Sequence, residues 1–567
     1  MPAPRTTPPR TAVTLAAALS ALVTLSACTS GAGSPSGPST SAPKLTATTP
    51  AATGALDQVT WNLPMGEPTT LDPAKVGDYS PSTVVSNLCD PLLRLRADYS
   101  LAPGLATSWN RPDPKTLVLN LREGVRFWNG TPMTADDVVA SLLRQRDPAT
   151  QSVNIAVMAG VTSITATGTH QVTVRFRAPD QLFPKYLANG FGAVSEAAYL
   201  RKAGSSYGTA KGGLMCTGPF RLTSWRSGES ITALRNGAYW DAALRPKAEK
   251  LTFRFITDSS TLTSALLSGQ IDGSYELPST VAKALRSSRT GTVYYGPSAQ
   301  TVFLYPTGTA SPLADRRIAD ALSLVLDRDA LIRNVYDGAA QKPKTFIPSL
   351  VWKNSEAADV YAKAHDALPA LPAVDEARAR KLVEQAAPRQ RTLTVAMGAG
   401  DQQSLQILTF LQAAAKRIGL EVVIKQLQPT QMSGLFYDPS AREGLDATMV
   451  LGYVEIPDPL SYAEMLTAPE SPLNWTRYRN AEVTALLRQA KATLDPGRSA
   501  ALFTRAQALY AQDLSLVPLA WPHERMFLNK RLSGAPASFA YINMPWAAHL
   551  GGTGDSGTGS RTGEAGS

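Results

Sequence analysis

An apolar run that stops at a cysteine divides this 567-residue chain before any fold can be considered. Arg5 and Arg10 precede Thr11–Leu25 (TAVTLAAALSALVTL), which is shorter than the roughly 20 residues a membrane-spanning helix needs. A basic start followed by a short apolar core is the pattern of an export signal. Behind it, Thr29–Ala55 consists almost wholly of Gly, Ser, Pro, Thr and Ala, with Lys44 its one charge. Such a tract cannot bury enough apolar surface to offset chain entropy, so it is expected to stay disordered. The foldable body is therefore expected from about residue 57 to 550, and Gly551–Ser567 reads as a second disordered tail.

The junction Leu25-Ser26-Ala27-Cys28 has the form of a lipobox. Small residues at 26 and 27 admit a peptidase, and the Cys28 thiol is the atom that receives diacylglycerol. A second acyl chain, such as palmitate on the new amine, makes anchoring stable where one chain does not. The alternative is a plain secretory signal with an incidental cysteine. Residues 1–27 are thus read as a lipoprotein signal peptide and 28–56 as a disordered tether at the outer face of the cell membrane.

Export bears on Cys89 and Cys216, the only other cysteines. Outside the reducing cytosol an even pair is more often a disulfide than a catalytic thiol. The four histidines, His170, His365, His523 and His549, show no metal-ligand spacing, so neither metal nor cofactor is expected. Formal net charge is +10, but the basic residues are scattered along an exported chain, which argues against nucleic acid.

The body alternates between two periods. Thr116–Leu121 places Leu117, Leu119 and Leu121 on one face, and Val172, Val174 and Phe176 alternate likewise, so both read as half-buried strands. Ile318, Ala321, Leu322 and Val325 share a helix face, as do Val483, Leu486, Leu487 and Ala490. Arg391–Leu427 reads as strand, helix and strand, with Gly419 stopping the helix. The class is α/β with a more antiparallel early section.

Enzyme motifs do not survive inspection. Gly554-Asp555-Ser556-Gly557 carries the string of trypsin-like proteases, but in a low-complexity tail that cannot build an oxyanion hole. Ser41-Ala42-Pro43-Lys44 matches S-x-x-K, but in the tether and not at a helix start. No nucleophile elbow, P-loop or dinucleotide fingerprint is present. The chain reads as a non-enzyme, and a secreted hydrolase on an unfamiliar fold is the disfavoured alternative.

Eight segments occur in a telling order: GEPTTLDPAK (66–75), CDPLLRLRADYSLAPGLATSW (89–109), KTLVLNLREGVRFWNGTPMTADDVVASLLRQRDP (115–148), CTGPFRLTSWRSGESITALRNGAYW (216–240), SALLSGQIDGSYELP (264–278), RIADALSLVLDRDALIRNVYDG (317–338), EIPDPLSY (455–462) and LYAQDLSLVPLAW (509–521). Together they resemble the family 5 extracellular solute-binding proteins of ABC importers, the peptide- and nickel-binding group, in an actinobacterial lipoprotein form. The resemblance implies a two-lobed, type II periplasmic-binding-protein-like fold with a hinge and an extra inserted domain. Lobe I would be discontinuous (57–80, 213–299 and 520–550), the inserted domain would span 81–212, and lobe II 300–519. It also implies a disulfide between Cys89 and Cys216.

In peptide-binding relatives a carboxylate in a D-Y-P-D-P-like loop meets the ligand's α-ammonium. Glu455 of Glu455-Ile456-Pro457-Asp458-Pro459 falls on that position, while Asp458, before Pro459, reads as a turn former. Dipeptide-binding relatives carry an Arg where this chain has Gly398–Gln403, so oligopeptides fit better than a strict dipeptide. Further walls are expected at Met65, Gly66, Glu67, Thr217, Gly218, Tyr305, Tyr453 and Trp521. The implied partners are a peptide ligand and a heterodimeric permease with its ATPase, the protein acting as a monomer. A metal chelate, opine or sugar as ligand, or a sensor role, are the open alternatives. Cys28→Ala is expected to leave the protein folded but shed into the medium or retained with an uncleaved signal. Fractionation with acyl-chain labelling checks this, and a labelled, membrane-bound variant would end the lipobox reading.

Overall fold

The structure is a computed structural model in which residues 42–386 and 391–554 are described. The expected signal region 1–27 and residues 28–41 of the expected tether, Cys28 included, lie outside the described residues, as do Asp555–Gly557 of the protease-like string. Among the described residues no helix is long and apolar enough to cross a membrane.

Three sheets organise the body. The first has seven strands in the order Gly291–Gly296, Glu524–Asn529, Gly273–Ser274, Leu56–Asn62, Ala248–Arg254, Ser230–Arg235 and Phe220–Arg226. The second has six, in the order Ala340–Gln341, Val517–Pro522, Gln300–Pro306, Ala447–Tyr453, Thr392–Gly398 and Glu421–Leu427. The third is antiparallel, with Ala106–Asp113, Thr116–Leu121, Gln171–Phe176 and Val161–Gly168 in that order. The first two sheets centre the lobes and the third centres the inserted domain. This is the two-lobed type II fold. The chain passes between the lobe sheets at residues 297–299 and at His523, short connections of the kind that serve as hinges.

Local chemistry explains the elements. Leu117, Leu119, Val172 and Val174 are fully buried on one face of the third sheet. Thr134 caps the helix Ala135–Leu143, and the Asp137 carboxylate accepts the Thr134 N–H at 2.9 Å. Strand Thr392–Gly398 runs parallel to Glu421–Leu427 with helix Gln402–Lys416 between them, and Gly419 adopts φ +80° just past that helix. Ile318, Ala321, Leu322 and Val325 are all buried in the core of lobe II.

Three boundaries differ from the sequence reading. The last part of the 28–56 tether is docked, not free: Thr46 donates to Tyr295 O at 2.8 Å, Thr49 to Ala535 O at 3.1 Å and Gly54 to Gly552 O at 3.0 Å. Gly551–Gly552 of the 551–567 tail pairs with Leu532–Ser533. Low-complexity sequence cannot make its own core, yet its amides can still be satisfied along edges that other residues build. A Cβ on Gly551 would lie 2.6 Å from Gly54 O, so glycine is what permits that approach. The second crossing also falls later than 519, because Trp521 and Pro522 pair with Gln341 and Ala340 in the lobe II sheet.

Cys89 and Cys216 form a disulfide with Cα atoms 5.0 Å apart and a sequence separation of 127. It joins the start of the inserted domain to the strand region that re-enters lobe I. The chain-entropy model assigns a loop of this length about 4–5 kcal/mol. Thiol counting on unfolded, unreduced protein should find neither thiol free. The double variant Cys89→Ser, Cys216→Ser should lose about 2–5 kcal/mol in denaturant unfolding.

Candidate ligand-binding site between the lobes

Beyond strand Ala447–Tyr453 the chain turns through Val454–Pro457 into helix Pro459–Thr467. Asp458 caps that helix, its Oδ1 accepting the Leu460 N–H at 2.8 Å, and its Oδ2 pairs with Lys185 and Gln181 of the inserted domain. Asp458 thereby pins the far end of the turn, and at its start Val454 N donates to Ala299 O at 3.0 Å. The Glu455 backbone O accepts from Asn543 Nδ2 at 3.0 Å, and the Asn189 side chain of the inserted domain lies near enough to the Glu455 carboxylate to favour the charged form, with Nδ2 left unpartnered. Glu455 keeps some exposure to water, but protein surrounds it closely enough that desolvation holds its carboxyl up at about 7, against the relief Asn189 gives.

Tyr453 stands beside it. Its ring meets Tyr79 edge-on at 4.8 Å and Phe539 at 5.3 Å. Tyr79 begins helix Tyr79–Val85, capped by Asp78, and its hydroxyl reaches Leu451 O across the lobes at 3.4 Å. Tyr99 OH likewise donates to Val454 O at 2.8 Å. A small cavity opens beside Tyr79, lined also by Met65, Ser80, Tyr275, Glu276 and Tyr541. Met65 is half exposed, and Gly66 at φ +91° makes the turn that presents it.

Glu276 follows the short strand Gly273–Ser274 and is nearly fully buried. Its φ of 55° is a left-handed backbone that non-glycine residues avoid, at a cost on the order of 1–3 kcal/mol. The Glu524 carboxylate holds it there by accepting the Glu276 N–H at 2.8 Å. Oε1 of Glu276 accepts from Tyr541 OH at 2.8 Å and Gln300 Nε2 at 3.1 Å, while Oε2 has no partner. Burial first, and the neighbouring Glu524 second, push the Glu276 carboxyl well up from the ordinary carboxylate range.

The other residues singled out from sequence are placed elsewhere. Glu67 pins a hairpin turn, accepting from Trp225 Nε1 at 2.7 Å and Gly228 N at 2.8 Å. Thr217 is fully buried and donates to Asp90 at 2.9 Å, and a Cβ on Gly218 would lie 2.2 Å from Leu88 O. Tyr305 OH donates to Leu473 O at 2.8 Å inside lobe II, and Trp521 Nε1 donates to Thr345 O at 3.1 Å. These five are packing residues, because their polar atoms are spent within the fold. Segment 398–403 has no arginine, but Arg525 of lobe I reaches it, with Nη2 3.3 Å from Gln403 Oε1. Sequence reasoning passed over Tyr79, Asn189, Glu276 and Tyr541; an acid in an otherwise apolar run, as in SYELP, was the available signal.

The family profile described as bacterial extracellular solute-binding proteins, family 5 Middle, matches residues 100–472. The chain belongs to this family. The glutathione-binding protein GsiB of Escherichia coli K12 is 24% identical over 458 residues, covering 80% of this chain and 86% of that one. DppA from Helicobacter pylori, solved with the peptide STSA, superposes with TM-score 0.75 at 22% identity, over 88% of this chain and 99% of that one. AgaA from A. tumefaciens R10, solved with agropinic acid, gives TM-score 0.75 at 20% identity, over 87% and 98%. Family 5 proteins bind peptides or small solutes and work with ABC permeases, and this chain is a solute-binding protein of that family. Among the described residues no three His, Cys, Asp or Glu side chains gather as a metal group.

The raised carboxyls give the ligand-free protein a signed pH dependence. The folded state holds a proton on Glu455 that the unfolded chain, at its ordinary 4.5, releases, so stability falls as pH rises from 4.5 through about 7. Glu455→Gln should flatten thermal or urea stability between pH 5 and 7.5 by roughly 1–2 kcal/mol. An unchanged slope would place the carboxyl in ordinary solvent.

Proposed function

We propose that this protein is a lipid-anchored receptor at the outer face of the cell membrane that captures peptides, oligopeptides foremost, for an ABC importer. The observation that carries the reading is Glu455. A carboxylate between the lobes, with no cation beside it and desolvated by its surroundings, suits a ligand that brings an ammonium. Lobe closure on a peptide amine leaves the charge paired, whereas closure without one strands it. The hinge thereby becomes selective for the loaded state, and a changed outer surface can be offered to a permease and its ATPase. Main-chain groups of an extended peptide would be held by strand-like hydrogen bonds and bridging water. The same cleft admits a second reading, a non-peptide solute such as an opine, supported by the absence of arginine at 398–403 and the fold shared with AgaA.

Glu455→Gln keeps shape and hydrogen bonding but removes the charge. It should weaken free-amine peptides by about 2–5 kcal/mol, as for a truncated buried pair. N-acetylated peptides should bind the wild type poorly and the variant with much less discrimination. Calorimetry with one peptide in both forms decides it, and equal losses for both forms would return Glu455 to a structural turn.

A further inference from the structure

The cavity beside Tyr79 holds a second acidic group that the Glu455 reading does not use. Among its lining residues Glu276 is the sole carboxyl group. Two buried polar atoms on this lining have no partner, Glu276 Oε2 and Ser80 Oγ. Glu276 is 6% exposed, so water is a poor substitute for a counter-charge. Neither Glu276 nor Glu455 forms an ion pair among the described residues. Arg525 forms no ion pair with either glutamate: its Nε donates to Leu277 O at 2.6 Å and its Nη2 to Gln403 Oε1 at 3.3 Å, while Nη1 has no partner.

The backbone of Glu276 is held in an unfavourable left-handed conformation by Glu524, and its Oε1 is fixed by Tyr541 and Gln300. That arrangement fixes the carboxylate and leaves Oε2 uncommitted. The rings around it are Tyr79, Tyr275 and Tyr541, the last two stacked at 3.7 Å. Aromatic faces beside a carboxylate suit an alkylammonium or guanidinium, whose stem packs on the rings while its head meets the charge.

We infer that Glu276 is a second cation anchor in the cleft and that the preferred ligands carry two positive centres, such as a peptide with a free amino terminus and a lysine or arginine side chain. The inference rests on the interlobe site proposed above but not on Glu455 being its amine anchor. Two carboxyls whose ionised forms only a cation can compensate favour closure on a dication over a neutral or acidic solute.

Calorimetry of the purified full-length protein tests this with trialanine and variants bearing lysine, arginine or norleucine at one position, and with cadaverine as a non-peptide dication. Norleucine supplies the lysine stem without the charge. The wild type should bind a lysine or arginine peptide at least about tenfold more tightly than its norleucine counterpart. Glu276→Gln keeps the contacts at Oε1 and should erase that ratio, while Glu276→Asp, which keeps the charge, should retain part of it. Glu455→Gln should weaken all free-amine peptides and leave the ratio standing. Peptide binding that ignores side-chain charge, or a ratio that survives in Glu276→Gln, overturns the second anchor and spares the peptide reading. Cadaverine binding lost in Glu276→Gln, with no peptide bound, supports the anchor and removes the peptide reading. No binding of any probe rejects both.

Discussion

The carboxylate of Asp90 holds the inserted domain against lobe I, and the site depends on that junction. It is 2% exposed and accepts from Arg94 Nη2 at 3.0 Å, Tyr239 OH at 2.7 Å, Trp240 Nε1 at 2.9 Å and Thr217 Oγ1 at 2.9 Å. Donors from three separate stretches converge on one buried charge, so removing any of them strands polar atoms that water cannot reach. The neighbouring Cys89–Cys216 disulfide fixes the same junction covalently. This anchorage fixes the base of the inserted domain, whose Asn189 meets Glu455 and whose Lys185 pairs with Asp458.

Polar groups in the fold fall into two kinds. Asp90, Glu67 and Asp72 are saturated: Arg144, for example, pairs with Asp72 at 2.6 and 2.8 Å. Such groups position elements and have nothing left for a ligand. Glu455 and Glu276 are incompletely satisfied where the lobes meet, and desolvation makes that incompleteness costly. A binding protein that must both capture and release is served by this arrangement. Under the proposed reading the penalty resides in the ligand-free closed state, and the ligand's charge would supply the differential affinity that a conformational shift requires.

Much of the fold was legible because its signals are local. The alternation in Thr116–Leu121 and Gln171–Phe176, the helix face at Ile318–Val325 and the glycine stop at 419 each arise within a few residues, and the structure has them in place. The site was legible only in part. Tyr453 packs on Tyr79 and Met65 lines the cavity beside it, but Tyr305 and Trp521 are core aromatics and Glu67 is a hairpin clasp. An aromatic or acidic residue looks the same in sequence whether its polar atom is spent or free. Which it is depends on partners such as Trp225, 158 residues from Glu67.

By itself the sequence determined the α/β class, the alternation of strand and helix, and the family likeness, because hydrophobic period, caps and turn residues act over a few positions. It also showed where low-complexity chain could not fold alone. Only the tertiary structure decided that residues 45–54 dock all the same, since the edges receiving them come from Tyr295, Ala535 and Gly552. Only the tertiary structure decided which carboxylates lack partners. Tyr541 stands 265 residues from Glu276, and Asn543 88 residues from Glu455. Hydrogen-bond satisfaction is a property of neighbours in space, and no local pattern encodes it.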